Sequence, residues 1–192
     1  MSNRARTAAS AAVLALGVCF VAAPDSTMAQ EKKAKVGPYN AAIMALVDGK
    51  GSAEEIAKSA DLGDVMQAFK PRSKGGLGIG PTADAIKPGG IEQKLIDLGI
   101  SQKGLSKLDL AKQSDALAKA AEVTGAISQV TLLYADKEGK KNPTKWKQFA
   151  GDMKKASADL ATAARQSDGD GIKKAVNKLN ASCNDCHADF RD

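Results

Sequence analysis

Three stretches of helical periodicity joined by short connectors fill roughly the last 85 of the 192 residues, and they narrow the fold more than any other feature. Ser106 is placed to cap the first, which runs to about Lys137 with Leu110, Leu117, Ala121 and Thr124 along one face; Gly139 ends it. Asn142-Pro143 opens the second, with an N-cap residue followed by proline in the first turn. Behind it Trp146, Phe149, Ala150, Met153, Leu160 and Ala164 recur at helical spacing. Asp168 or Asp170 begins the third, whose apolar stripe is Ile172, Ala175, Val176, Leu179, Cys183 and Cys186. Short connections make such helices antiparallel neighbours.

The front half is less regular. Gln30 to Val36 is a lysine-rich arm. Pro38 stands at a first helical position before the apolar segment Tyr39 to Val47, which Gly49 and Gly51 interrupt. Ser52 and Glu55 form a capping box, and the helix they start carries Ile56, Leu62, Val65, Met66 and Phe69 before Pro71 stops it. Residues 70–90 hold two glycine-rich clusters, Gly75 to Pro81 and Lys87 to Gly90. A phosphate-binding loop is excluded by spacing, because Pro81 occupies the place of the third glycine and no Gly-Lys-Ser/Thr follows. Ile91 to Leu98 is a short helix. Alternating runs of β-branched residues are absent, so the expectation is an all-α, antiparallel four-helix bundle, with Ser52 to Phe69 as its fourth helix. The extra short helices and the glycine-rich loop attach to it.

Residues 1–29 have the pattern of an export signal: Arg4 and Arg6, then an apolar run from Ala11 to Ala23, then Thr27-Met28-Ala29 before Gln30. Thirteen apolar residues are too few to span a bilayer, which needs about 20. Cleavage there would discard Cys19 and leave a single domain, 30–192, of net charge +5, destined for the periplasm or another exported location. No other long apolar run follows, so stable membrane insertion is not expected. The lysines are dispersed and few aromatics lie among them, which argues against a nucleic-acid surface. Solvated helix faces account for them; a docking face for an acidic redox partner is the sharper reading. Six aromatic residues remain after residue 29, so an alanine-rich helical core has room for a large apolar group.

Cys183-Asn184-Asp185-Cys186-His187 is the motif that carries chemistry. C-x-x-C-H is the spacing at which two thiols add to the vinyl groups of a haem while the adjacent imidazole coordinates the iron. Cys183, Cys186 and His187 stand at i, i+3 and i+4, on one side of a helix and on the stripe that faces the interior. His187 is the sole histidine. Four other readings compete. A structural zinc ion needs four ligands, and no third cysteine or second histidine survives processing. A thioredoxin-like dithiol expects a βαβ setting. A disulfide over two intervening residues stabilises little. Chance pairing of core cysteines beside a surface histidine is the fourth.

Asn180 to Arg191, reading NASCNDCHADFR, resembles the C-terminal helix of the class II c-type cytochromes, the cytochrome c′ family. The likeness is good over about residues 105–191, so the domain divides into a divergent part, 30–103, and a cytochrome c′-like part, 104–192. It implies one covalently bound haem c, thioether links at Cys183 and Cys186, and His187 as an axial iron ligand. It further implies Phe190 packing near the haem and Arg191 close to the same face. Homodimers are common in that family.

The sixth iron position separates two functions. A methionine thioether there makes a low-spin electron carrier; Met44 and Met66 are the candidates, while Met153 reads as core. An open position behind apolar side chains makes a protein that binds or senses a small gas such as NO or CO. No catalytic base or nucleophile constellation is present, so an enzyme is not expected. The expected function is a one-electron carrier between redox proteins.

Overall fold

The computed structural model describes residues 36–191 except 84 and 102, and the described residues contain helices and no strand. The proposed export signal, residues 1–29, and the arm up to residue 35 lie outside them. Seven α-helices follow one another: α1 (Asn40–Val47), α2 (Ala53–Ser59), α3 (Leu62–Met66), α4 (Ile91–Ile100), α5 (Lys107–Leu132), α6 (Pro143–Arg165) and α7 (Gly169–Phe190).

The three long helices form where the periodicity and the caps place them. Ser106 Oγ accepts from the amide of Asp109, Asn142 Oδ1 from Lys145, and Asp168 Oδ1 from Gly171 at 3.0 Å. Each cap satisfies one of the orphan donors of a first turn, and the last makes Asp168, not Asp170, the start of α7. α5 ends earlier than about Lys137. Residues 133–138 turn instead, because the Tyr134 carbonyl gathers the amides of Lys137, Glu138 and Gly139. Gly139 is required there: a Cβ would lie 2.7 Å from the Trp146 side chain and from the Ala135 carbonyl.

α6 packs between α5 and α7, while α4 packs on α7 and α1, α2 and α3 pack on α5. Leu117, Ile127, Val130, Leu160, Val176 and Leu179 are fully buried in this core. Each contributes roughly 1.5–3 kcal/mol of apolar burial. Buried alanines, among them Ala121, Ala126, Ala161, Ala164 and Ala175, let the long helices approach closely.

The fourth side of the bundle departs from expectation. Ser52 to Phe69 is not one helix. α2 starts as the capping box directs, with Ser52 Oγ accepting from Glu55, but the chain is extended at Ala60 and Asp61 before α3 and a 3-10 turn, Gln67–Phe69. The cause lies in the partners of the last carbonyls of α2. Tyr39 donates its hydroxyl to the Ser59 carbonyl, and Tyr134 donates to the Ala60 carbonyl at 2.7 Å. Gly63 adds a poor helix former just beyond. Pro38 likewise stands two residues ahead of α1, whose N-cap is Tyr39.

The glycine-rich stretch is ordered by side-chain donors to its backbone. Arg72 donates to the carbonyls of Gly80 at 2.6 Å and Thr82 at 2.9 Å, and Asn40 Nδ2 to that of Gly75 at 2.9 Å. Gly76 passes so close to Lys70 that a Cβ would stand 1.8 Å from its carbonyl oxygen. The loop thereby backs Phe69 and Lys70, its own backbone bonded to Ala68 and Lys70.

Candidate haem-binding site

The cap at Asp168 sets the register of α7, and five turns later Cys183, Cys186 and His187 emerge on one side of it. They line a cavity of about 550 Å³. That lies within the range of small-molecule and cofactor sites. Its other walls come from four helices: Leu62 and Met66 of α3, Phe69 and Lys70 after it, Leu95 and Ile96 of α4, Thr131 at the end of α5, and Trp146, Phe149, Ala150 and Met153 of α6. Phe190 and Arg191 complete the α7 side. The lining is mainly apolar, with Asp61, Lys70, Glu92, Glu138 and Arg191 as its charged members.

Cys183 and Cys186 are partly buried free thiols, whereas His187 is exposed. The stripe is closed in the core as far as Leu179, and its C-terminal end opens into the cavity. Burial, reinforced by the neighbouring Cys186, pushes the Cys183 thiol up to about 11. Burial and then Asp189 raise Cys186 as well. A site that disfavours thiolate suits an uncharged sulfur, which a thioether is, and opposes metal ligation by thiolate. Among the described residues no three His, Cys, Asp or Glu side chains gather as metal ligands. Two thiols at the wall of an apolar cavity of this size, with an imidazole beside them, fit a covalently held haem.

Aromatic packing fixes the wall around them. Phe190 meets Trp146 edge-on at 5.1 Å between ring centroids and Phe149 at 6.5 Å. Trp146 donates its indole N–H to the Thr131 carbonyl at 2.8 Å, which ties α6 to the end of α5. Lys145 pairs with Asp189, and Lys141 donates to the Asp189 carbonyl at 3.4 Å, so the start of α6 is also bound to the last turn of α7.

The sequence candidates separate in space. Met66 shares the cavity with the C-x-x-C-H side chains. Met44 does not: it lines a second hollow, about 320 Å³, with Asn40, Arg72 and Leu77. Met153, read as core, is buried and also reaches the cavity wall. Arg191 is exposed at the cavity edge. Leu95 and Ile96 escaped the sequence reading, since nothing in a ten-residue helix says which bundle helix it will lie against. Lys70 escaped it too, because a lysine before proline carries no signal of its own.

The sequence model of the cytochrome C′ family matches residues 97–191, from the end of α4 through α7. Through its C-terminal half, the chain belongs to the cytochrome c′ family. The family implies a haem c cofactor, in agreement with the cavity and its thiols. No curated protein and no solved structure gave a significant match to the chain. The cytochrome c′ match includes the whole C-x-x-C-H helix and stops short of α1, α2, α3 and most of α4. Met66, Phe69, Lys70 and Leu95 thus belong to a wall outside the cytochrome c′ match.

Proposed function

We propose that this chain is an exported monohaem c-type cytochrome that carries single electrons between redox proteins and is not an enzyme. Residues 1–29 support the export. Cys183 and Cys186 would hold the haem through thioethers, and His187 and Met66 would ligate its iron. The observation that carries this reading is that Met66, alone of the two sequence candidates, lines the same cavity as Cys183, Cys186 and His187. Haem bound here supplies a one-electron iron couple. The protein contributes a fixed wall: Trp146, Phe149 and Phe190 hold the α7 side in place and exclude water from it. Lys70 and Arg191 are the basic members of the lining and would balance the propionates of a haem, beside the carboxylates of Asp61, Glu92 and Glu138. Met153 is held by packing in α6 and stays a wall residue.

Gas binding is the second reading, favoured by the apolar side chains of Leu62, Phe69, Leu95 and Ile96 in the same cavity. The visible spectrum of the reduced, haem-loaded protein decides between them. The electron carrier gives sharp low-spin bands that a brief exposure to carbon monoxide leaves unchanged, binding it only slowly. Met66→Ala should turn that spectrum high-spin and CO-reactive, while Met153→Leu should leave it low-spin. A wild-type spectrum that is already high-spin and shifts with carbon monoxide would establish the gas-binding reading instead.

A further inference from the structure

The segment that carries Met66 is short, and its own helical hydrogen bonds do little to hold it. α3 is five residues long and begins from extended backbone at Asp61. A helix of that length has no stability of its own in water. What fixes it comes from α5 and the turn after it. Tyr134, 1 % exposed, donates its hydroxyl to the Ala60 carbonyl at 2.7 Å, within the extended joint itself. Lys137, three residues on, pairs with Asp61 at 3.2 Å. The same stretch receives the Trp146 indole at Thr131, and Trp146 packs against Phe190 of the C-x-x-C-H helix. Residues 131–137 are therefore fastened to both walls of the cavity, the one that carries His187 and the one that carries Met66.

We propose that Tyr134 is a positioning residue for the cavity: its buried hydroxyl, by holding Ala60, sets where α3 presents Met66. This rests on the assignment of the cavity as the haem site, and in its strongest form on Met66 as a ligand. The hydroxyl does not line the cavity, so it acts through the backbone of residues 60–66. Loss of that one bond leaves the Ala60 carbonyl buried without its partner, and the joint can relieve this only by shifting. A shift at Ala60 moves α3 as a body, because the joint lies directly before it.

The test uses haem-loaded protein and three variants. Tyr134→Phe keeps the ring and removes the hydroxyl. Thr124→Val removes another buried hydroxyl of α5, bonded to the Ala120 carbonyl at 2.8 Å and away from the cavity. Lys137→Met removes the exposed ion pair to Asp61 and the ammonium 5.6 Å over the Tyr134 ring, and leaves the Tyr134 hydroxyl its bond to Ala60. Thermal melts match the first two for stability. Reduced spectra, carbon monoxide association rates and amide exchange of residues 61–69 are then compared. Tyr134→Phe should raise the high-spin fraction and speed carbon monoxide binding by roughly fivefold or more, the population change expected on losing one buried hydrogen bond. Exchange at Val65 and Met66 should quicken with it. Thr124→Val should lower the melting temperature with no such change. Lys137→Met should move all three readouts the same way by less, and it serves alone if Tyr134→Phe does not fold. A Tyr134→Phe protein that loses stability like Thr124→Val, yet keeps the wild-type spectrum and carbon monoxide rate within twofold, would overturn the proposal. If Met66→Ala leaves the spectrum unchanged, the ligand reading fails by itself; the carbon monoxide rate of Tyr134→Phe still decides the role of Tyr134.

Discussion

The two halves of this molecule are built on different principles. Residues 107–190 are three long helices, each opened by a side-chain cap and each held by a continuous apolar face. Residues 40–100 are four short helices and a loop that bury Ile43, Val65, Ala68 and Ile91 in the same core but are fastened at their joints by single polar side chains reaching other carbonyls: Tyr39 to Ser59, Tyr134 to Ala60, Asn40 to Gly75, Arg72 to Gly80, Asn180 to Leu95. A core helix gains from every apolar residue on its face, so its stability is spread widely. A short segment buries few apolar side chains, so one or two bonds at its joint are a larger share of what holds it, and it opens more readily when they go. Cys183, Cys186 and His187 sit on the first kind of structure and Met66 on the second. The C-x-x-C-H wall of the cavity is thus held by broad packing, and the Met66 wall leans on bonds at its joint.

The largest test of this contrast is a cavity in the regular half. Leu160 is fully buried in the second half of α6. Leu160→Ala should cost about 2–5 kcal/mol, lowering the thermal midpoint of helicity and haem absorbance together. If helicity falls well before haem absorbance, the long helices do not unfold as one unit with the site, and the contrast fails.

A middle-sized effect is expected from the clamp on the glycine-rich loop. Arg72→Met keeps the stem and removes the donors to Ile79, Gly80 and Thr82. The loss should be about 1–3 kcal/mol, confined to amide protection of residues 76–90, with the long helices exchanging as before. A drop in global stability as large as that of Leu160→Ala would show that the loop is part of the core after all.

The same contrast explains what the sequence could tell. Caps and periodicity are local, and they placed α5, α6 and α7, the C-x-x-C-H face and the all-helical class. Periodicity failed at Ser52 to Phe69. Ile56, Val65, Met66 and Phe69 keep an apolar pattern across the break, while the carbonyls at the break are taken by Tyr39 and by Tyr134, the latter more than seventy residues away. The site divides likewise. Cys183, Cys186 and His187 announce themselves in five residues, whereas Met66 could be chosen over Met44 only once three-dimensional contacts showed which of them shares the cavity. Trp146 and Phe149 were legible as apolar face residues, but not as cavity wall, because a face does not state whether it meets a side chain or a void.

The smallest expected effect is a pair of opposed pH dependences, both arising in the clamps of the irregular half. Burial, then Asp61 and Tyr39, raises the Tyr134 phenol above its ordinary 10.0, so the folded chain keeps this proton when the unfolded chain has lost it. Its stabilising contribution is complete below pH 10.0 and is lost as pH rises from there through the folded value. Lys94 behaves in the opposite sense. Its ammonium is buried against the Lys87 carbonyl at 3.4 Å, and burial lowers it below the ordinary 10.5. Between the lowered value and 10.5 the unfolded chain holds more protons, so stability rises with pH there; the contribution is fully present above 10.5 and lost as pH falls through the folded value. Urea denaturation from pH 8 to 11 should therefore show the wild type losing ground to Tyr134→Phe as pH rises, and gaining ground on Lys94→Met over the same range. Equal slopes for all three proteins would mean that neither group is held as tightly as its burial implies, and that the clamps of the irregular half are looser than the contrast requires.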